Sequence, residues 1–260
     1  MNNAVSVRDV RKSYGGQPVV DGVSFDVAAG ETFGLLGPNG AGKTTTLECV
    51  LGVRKPDAGS AAILGMDPRA QRKELFQRVG VQFQEARYQD KITVDELCRT
   101  TRALYREADD PAQLLARFGL AEVRTQPVES LSGGQRQRLF VVLALIPRPD
   151  VVFLDELTTG LDVKVRRDVW NLLADMRAHG MTIVLTSHFM DEVEALCDRI
   201  AILRRGRIVF SGSVAEAVAA QHVATFEDAY LAYAESGESA EIAEIAENAQ
   251  AVERGAHESL

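Results

Sequence analysis

The residues Gly37 to Thr45 read G-P-N-G-A-G-K-T-T. They lie between an apolar run, Glu31 to Leu36, and a helix-compatible run from Thr44 to Val50 that Gly52 can terminate. This pattern binds polyphosphate. Gly37, Gly40 and Gly42 allow the chain to turn so that N–H groups converge on one concavity, with Pro38, Asn39 and Ala41 completing the loop. The helix beginning near Thr44 and Thr45 adds partial positive charge behind the phosphates. Lys43 is spaced to reach the β and γ oxygens, and the Thr44 hydroxyl to hold Mg²⁺. The implied ligand is a nucleoside triphosphate with Mg²⁺.

Two further clusters carry candidate chemistry. Val151 to Glu156 reads V-V-F-L-D-E, an apolar strand ending in two carboxylates. Beside a phosphate loop, Asp155 can hold Mg²⁺ through water while Glu156, pointing elsewhere, polarises the attacking water. Taken alone, the run also fits a strand that ends in solvated acids. Leu131 to Gln135 reads L-S-G-G-Q. Here Ser132 can cap a helix whose first N–H groups are bared by Gly133 and Gly134, which makes a second anion site. An ordinary Ser-Gly-Gly turn is the alternative. One triphosphate rarely needs two cradles in one chain, whereas two copies facing each other do.

The elements that must position these groups are legible in outline. Val5–Val10 and Val23–Val27 alternate apolar and polar, as half-buried antiparallel strands do. Thr32–Leu36, Val151–Leu154 and Thr182–Thr186 are continuously apolar, which suits a parallel sheet covered on both faces. Ile200–Leu203 and Arg207–Phe210 flank Arg205-Gly206 as a hairpin. Between them lies a more helical region. Thr93 with Glu96 predicts a capping box opening a helix through about Arg106, about Pro111 to Phe118 a short helix ending at Gly119, and Gly133 to Ile146 a helix with a continuous apolar stretch. Val163 to His179 is amphipathic and stops at Gly180, and Ser213 with Glu216 forms another capping box. The fold class expected is α/β: a P-loop NTPase core with a mainly parallel sheet, an N-terminal antiparallel β-subdomain, and an inserted α-helical subdomain over about residues 86–148.

Composition narrows the alternatives. The 260 residues are 46% hydrophobic, enough for one α/β domain with a subdomain. No apolar run approaches the ~20 residues that cross a bilayer; Leu139–Ile146 ends at Pro147, and no secretion signal is visible. Cys49, Cys98 and Cys197 lie far apart without a C-x-x-C, as in a reducing compartment. Of the net charge of −8, most sits after residue 234, where seven Glu face one Arg. The nearly neutral remainder argues against a nucleic-acid footprint, so no nucleic-acid partner is expected. The tail is expected to be a frayed helix or disordered from about residue 235.

In order, the phosphate loop, L-S-G-G-Q, V-V-F-L-D-E, T-T-G-L-D (Thr158 to Asp162) and T-S-H (Thr186 to His188) resemble the ATP-binding subunit of ATP-binding cassette (ABC) transporters, from about Val5 to Ala220. The resemblance implies an ATP-hydrolysing domain over residues 1–222 with a C-terminal extension over 223–260. It implies that ATP and Mg²⁺ are bound between two such subunits, here as a homodimer. It implies further roles: Tyr14 stacking on adenine, Gln84 contacting Mg²⁺ and sensing the membrane partner, Asp162 crossing the dimer interface, and His188 contacting the γ-phosphate. The catalytic set it implies is Glu156, His188, Gln84 and Lys43, with Thr44, Gln84 and Asp155 around the metal and Ser132 to Gln135 completing the partner's site. Gln82 is a nearby alternative to Gln84. One departure stands out: Leu157 occupies a position where the family usually has Pro, which loosens the backbone that aims Glu156 and Asp162.

The function implied is transport energised by ATP through a separate permease, with this chain peripheral on the cytoplasmic face of the cell membrane. Glu85 to Glu96, with Arg87, Tyr88 and Ile92, is the expected docking segment. Leu47–Val53 and Phe226–Leu231 resemble the exporter subfamily that handles drugs, antibiotics, lipids or polysaccharides. The alternative is a soluble cassette ATPase without a permease, such as an iron–sulfur assembly ATPase. The interval from Lys43 to Ser132 leaves no room for the long coiled coils of DNA-repair relatives, and a second cassette, as in translation-associated relatives, is absent.

Overall fold

In the computed structural model, which describes residues 3–83, 88–158 and 161–235, two sheets share the chain. The chain opens with a long hairpin, β1 (Asn3–Tyr14) and β2 (Gln17–Ala28), antiparallel from the Asn3–Ala28 end to Tyr14 opposite Gln17. The alternation foreseen for Val23–Val27 holds, with Val23, Phe25 and Val27 buried. In β1 it holds at Val5 and Val7 but breaks at Arg8 and Asp9, both exposed, where a bulge with Asp9 at φ +45 returns Val10 to the buried face. Then come β3 (Thr32–Leu36), α1 (Lys43–Val50) and β4 (Ala58–Ile63), the last pairing with β1 to finish a three-stranded antiparallel sheet.

A short α2 (Arg72–Leu75) leads to β5 (Val79–Gln82), after which α3 (Val94–Arg102), α4 (Pro111–Arg117) and α5 (Gly133–Leu145) make a helical layer. The remaining elements are β6 (Val151–Asp155), α6 (Val163–Ala178), β7 (Thr182–Ser187), α7 (Met190–Leu196), β8 (Arg199–Arg204), β9 (Arg207–Gly212), α8 (Val214–Gln221) and α9 (Phe226–Glu235). The second sheet has the order β5-β6-β7-β3-β8-β9; all its pairs are parallel except β8 with β9. Its central strands β3, β6 and β7 are buried at every residue, as a sheet covered on both faces requires. The fold is therefore that of a P-loop NTPase with a mainly parallel sheet, a separate antiparallel sheet and helical layers.

Both expected capping boxes form, at Thr93 with Glu96 and Ser213 with Glu216, and Ser132, expected to cap a helix, makes a third with Gln135. The helix opened by Thr93 is shorter than its sequence suggested and ends at Arg102 rather than near Arg106. The reason is tertiary: Gln77 donates to the Leu104 carbonyl and accepts the Arg106 N–H, which holds these residues out of the helix. α5 packs on α3 and α4 and also on β5 and β6, so the helix capped by Ser132 is tied to the sheet that carries Asp155.

Candidate active site

The phosphate loop joins the end of β3 to α1, and its shape depends on backbone that only glycine adopts cheaply. Gly42 has φ +101 at the N-cap of α1, and a Cβ there would stand 2.4 Å from the Val19 carbonyl oxygen. Gly37, at φ +151, would place a Cβ 2.3 Å from the Leu203 carbonyl oxygen. Both neighbours are backbone and cannot step aside. Gly42→Ala is thus expected to lower folding stability by about 1–3 kcal/mol and ATP affinity by roughly tenfold or more, read by thermal unfolding and nucleotide titration.

A cavity of about 630 Å³ lies over this loop. It is lined by Gly37, Pro38, Asn39, Gly40, Gly42, Lys43, Thr44 and Thr45 of the loop, by Val19 of β2, and by Glu156, His188 and Tyr230 from three more distant parts of the chain. Ala41 is buried behind it, and its carbonyl accepts the Gly206 N–H. Lys43 is nearly buried and donates to the carbonyls of Gly37 (2.7 Å) and Pro38 (3.2 Å). Burial pushes its pKa down, while the carboxylates of Glu156 and Asp155 act in the opposite direction.

At the end of β6, Asp155 is 2% exposed and accepts a hydrogen bond from the Thr44 hydroxyl at 3.2 Å. Its other oxygen accepts from the Thr186 hydroxyl, the end of β7 being the next strand. A hydroxyl and a carboxylate within reach of each other supply hard oxygen donors. This donor set fits Mg²⁺, which takes its remaining ligands from phosphate and water.

Glu156 stands just beyond β6 with φ +54, so its side chain leaves the strand direction taken by Asp155. Its N–H is held by the Thr186 carbonyl (3.2 Å) and hydroxyl (3.0 Å). Its carboxylate is 4.0 Å from His188 Nδ1, and the His188 ring lies against Phe189 with centroids 4.1 Å apart. Leu157 is fully buried in the core between the helical layer and the sheet. Gln137 of α5 donates to the carbonyls of Leu157 (2.7 Å) and Glu156 (3.3 Å). Side-chain burial and this clamp restrain the turn at the position where a proline ring was expected.

Sequence reasoning did not single out Thr186 or Gln137. Thr186 orients both acids, and its position in the T-S-H run was the available signal. Gln137 gave none, because its role arises from how α5 crosses the end of β6.

The other expected site residues fall elsewhere. Ser132 is the N-cap of α5, its hydroxyl accepting the Gln135 N–H (3.2 Å) while Gln135 Oε1 accepts the Ser132 N–H (2.9 Å). Together with Gly133 and Gly134, these residues do not line the cavity over their own phosphate loop. Asp162 caps α6, accepting the N–H groups of Lys164 and Val165 at 3.0 Å. Tyr14 is 41% exposed at the end of β1, outside the cavity lining, with Lys12 Nζ 5.7 Å and the Arg54 guanidinium 5.3 Å from its ring centre. Gln84 and Arg87 lie outside the described residues. Of the expected docking residues that are described, Tyr88 and Ile92 are half-buried against the helical-layer core, with the Tyr88 ring 6.3 Å from that of Phe140, whereas Gln89, Asp90 and Lys91 are exposed.

A phosphate loop facing two strand-end carboxylates across parallel strands, with a glycine-bared helix start held outside the cavity, defines an ATPase of the cassette type. A family model described as ABC transporter matches residues 20–159, and the chain belongs to that family as an ATP-binding subunit. It is 42% identical over 222 residues to the Nod factor export ATP-binding protein I of Ralstonia nicotianae, covering 82% of this chain and 68% of that one. Its fold superimposes on an ATP-binding subunit of an ABC transporter with a TM-score of 0.82 at 24% identity, covering 88% of this chain and 99% of the other. It also matches an ATP-binding cassette solved as a dimer in a post-hydrolysis state with ADP and Pi (TM-score 0.74, 24% identity, 80% and 98% covered). Among the described residues no helix is long and apolar enough to cross a membrane.

Proposed function

We propose that this chain is the energy-supplying subunit of an exporter: two copies close on two ATP molecules, hydrolyse them, and thereby drive a separate permease at the cytoplasmic face of the membrane. One observation carries the two-chain reading. Lys43, Thr44, Glu156 and His188 line one cavity, with Asp155 hydrogen-bonded to Thr44 behind it, yet the anion-binding start of α5 lies outside it. A second copy supplies what the first lacks. The exporter assignment rests on the relatives, named as export proteins, and on the exporter-like segments Leu47–Val53 and Phe226–Leu231.

In this reading Lys43 and the loop N–H groups hold the β and γ phosphates, and Tyr14 stacks on the adenine. Thr44, Asp155 and Gln84 would hold Mg²⁺, and the bound ion would supply neutralisation of charge on the phosphates. Glu156 accepts a proton from the attacking water, and His188 contacts the γ-phosphate, giving ADP and inorganic phosphate. Asp162 and the Ser132–Gln135 segment reach the partner's nucleotide. Hydrolysis lets the two copies separate, and the permease follows that cycle between inward-facing and outward-facing states.

The test is recovery of the chain from gently solubilised native membranes, followed by mass spectrometry of what accompanies it. The expected result is a polytopic membrane protein in comparable amount. Recovery with non-membrane partners alone would move the reading to a cassette ATPase of the iron–sulfur assembly kind.

A further inference from the structure

The cavity over the phosphate loop has one wall that no part of the motif set accounts for. Tyr230, in the middle of the C-terminal helix α9, lines it together with Asn39, Lys43, Glu156 and His188. The helix is fixed there rather than merely adjacent. Phe226 and Ala229 are buried with Leu36, the residue that precedes the phosphate loop, and with Val193 of α7. The Tyr233 carbonyl accepts a hydrogen bond from Arg204 at 3.2 Å, and its ring lies 5.0 Å from that of Phe210. One turn on from Tyr230, Ala234 lines a second, smaller cavity with Pro38, Asn39, Gly40, Arg204 and Arg205. The helix therefore runs along the phosphate loop.

Tyr230 is half-buried: part of its ring packs on the α7–β8 cluster, and the remainder is available to the cavity. Its place is on the side reached by α7, which begins two residues after His188, and by Pro38 to Gly40. Tyr14 stands outside this lining. A phenol offers one O–H donor, and a polyphosphate in this cavity offers several charged acceptors.

We propose that Tyr230 is a nucleotide-contacting residue whose hydroxyl donates to the phosphate chain of bound ATP, which makes α9 a structural part of the ATP site. The proposal rests on ATP being the ligand of this cavity. The unmodified chain, titrated alongside, keeps a failure of that premise separate from a failure of the proposal. Hydrogen bonds to charged groups set the scale of the effect.

The experiment compares unmodified, Tyr230→Phe and Tyr230→Ala chains, diluted so that they stay monomeric, for binding of Mg·ATP and of inorganic tripolyphosphate. Tyr230→Phe removes one oxygen and keeps the packing, so it is expected to weaken both ligands by roughly tenfold with no change in melting temperature. Tyr230→Ala should show at least the same loss of affinity together with lower thermal stability. Unchanged affinity in Tyr230→Phe would overturn the proposal and leave Tyr230 a packing residue. A loss for ATP but not for tripolyphosphate would also overturn it, because the contact would then be to the nucleoside.

Discussion

Glu156→Gln is expected to lower steady-state ATP hydrolysis by roughly 10²–10⁴-fold while leaving ATP bound and the two copies locked together. The substitution conserves shape. The turn that aims this residue is made by backbone: its N–H to Thr186, its carbonyl to Gln137, and Leu157 buried behind it. None of these contacts involves the carboxylate, so the amide should occupy the same place 4 Å or so from His188. What changes is proton affinity, since an amide cannot take the proton that the attacking water must lose. The groups that hold the triphosphate, Lys43 and the loop, are untouched. Removing a negative charge near Lys43 also leaves more of its positive field for the phosphates. Bound ATP then persists and the closed dimer accumulates, which light scattering after ATP addition would detect. Near-normal turnover would remove Glu156 as the base.

What could be read from the chain, and what could not, divides along the range of the interactions. The phosphate loop is local: its glycines, lysine and threonines lie side by side and act through backbone geometry that adjacent residues determine. The capping boxes at Thr93, Ser132 and Ser213 are local too, and each forms. The buried strands announced themselves by unbroken apolar runs. By contrast β4, with the sequence A-G-S-A-A-I, has neither alternation nor bulk, and it becomes a strand because β1 offers it an edge. The early end of α3 depends on Gln77, and the clamp on Leu157 on Gln137; neither partner is near in sequence. Tyr230 enters the cavity only because α8, α9 and β8 pack the chain's last described helix back along the loop. Long-range packing of this kind leaves no local signature.

Ser132→Arg is expected to reduce hydrolysis by roughly 10²-fold or more while leaving the affinity of the isolated monomer for ATP unchanged. Ser132 does two separable things. Within its own chain it caps α5, a bond whose loss costs about 1 kcal/mol of stability and should show as a small fall in melting temperature. Ser132→Thr, which keeps a capping hydroxyl, supplies the control for that effect. Toward the second copy, Ser132 and the N–H groups of Gly133 and Gly134 would face the partner's γ-phosphate, where an arginine side chain would displace their contacts at that one site. Because this segment does not line its own cavity, monomer binding has no reason to weaken, and a large loss there would contradict the two-chain site. Complementation sharpens the test. When Ser132→Arg and Glu156→Gln chains are mixed before ATP is added, half of the sites in each mixed dimer pair an intact Glu156 with an intact Ser132 from the other copy. Turnover should reappear in the mixture although neither variant alone has it. A mixture as inactive as its components would mean that both groups serve the same chain's nucleotide, and the division of the site between two copies would fall.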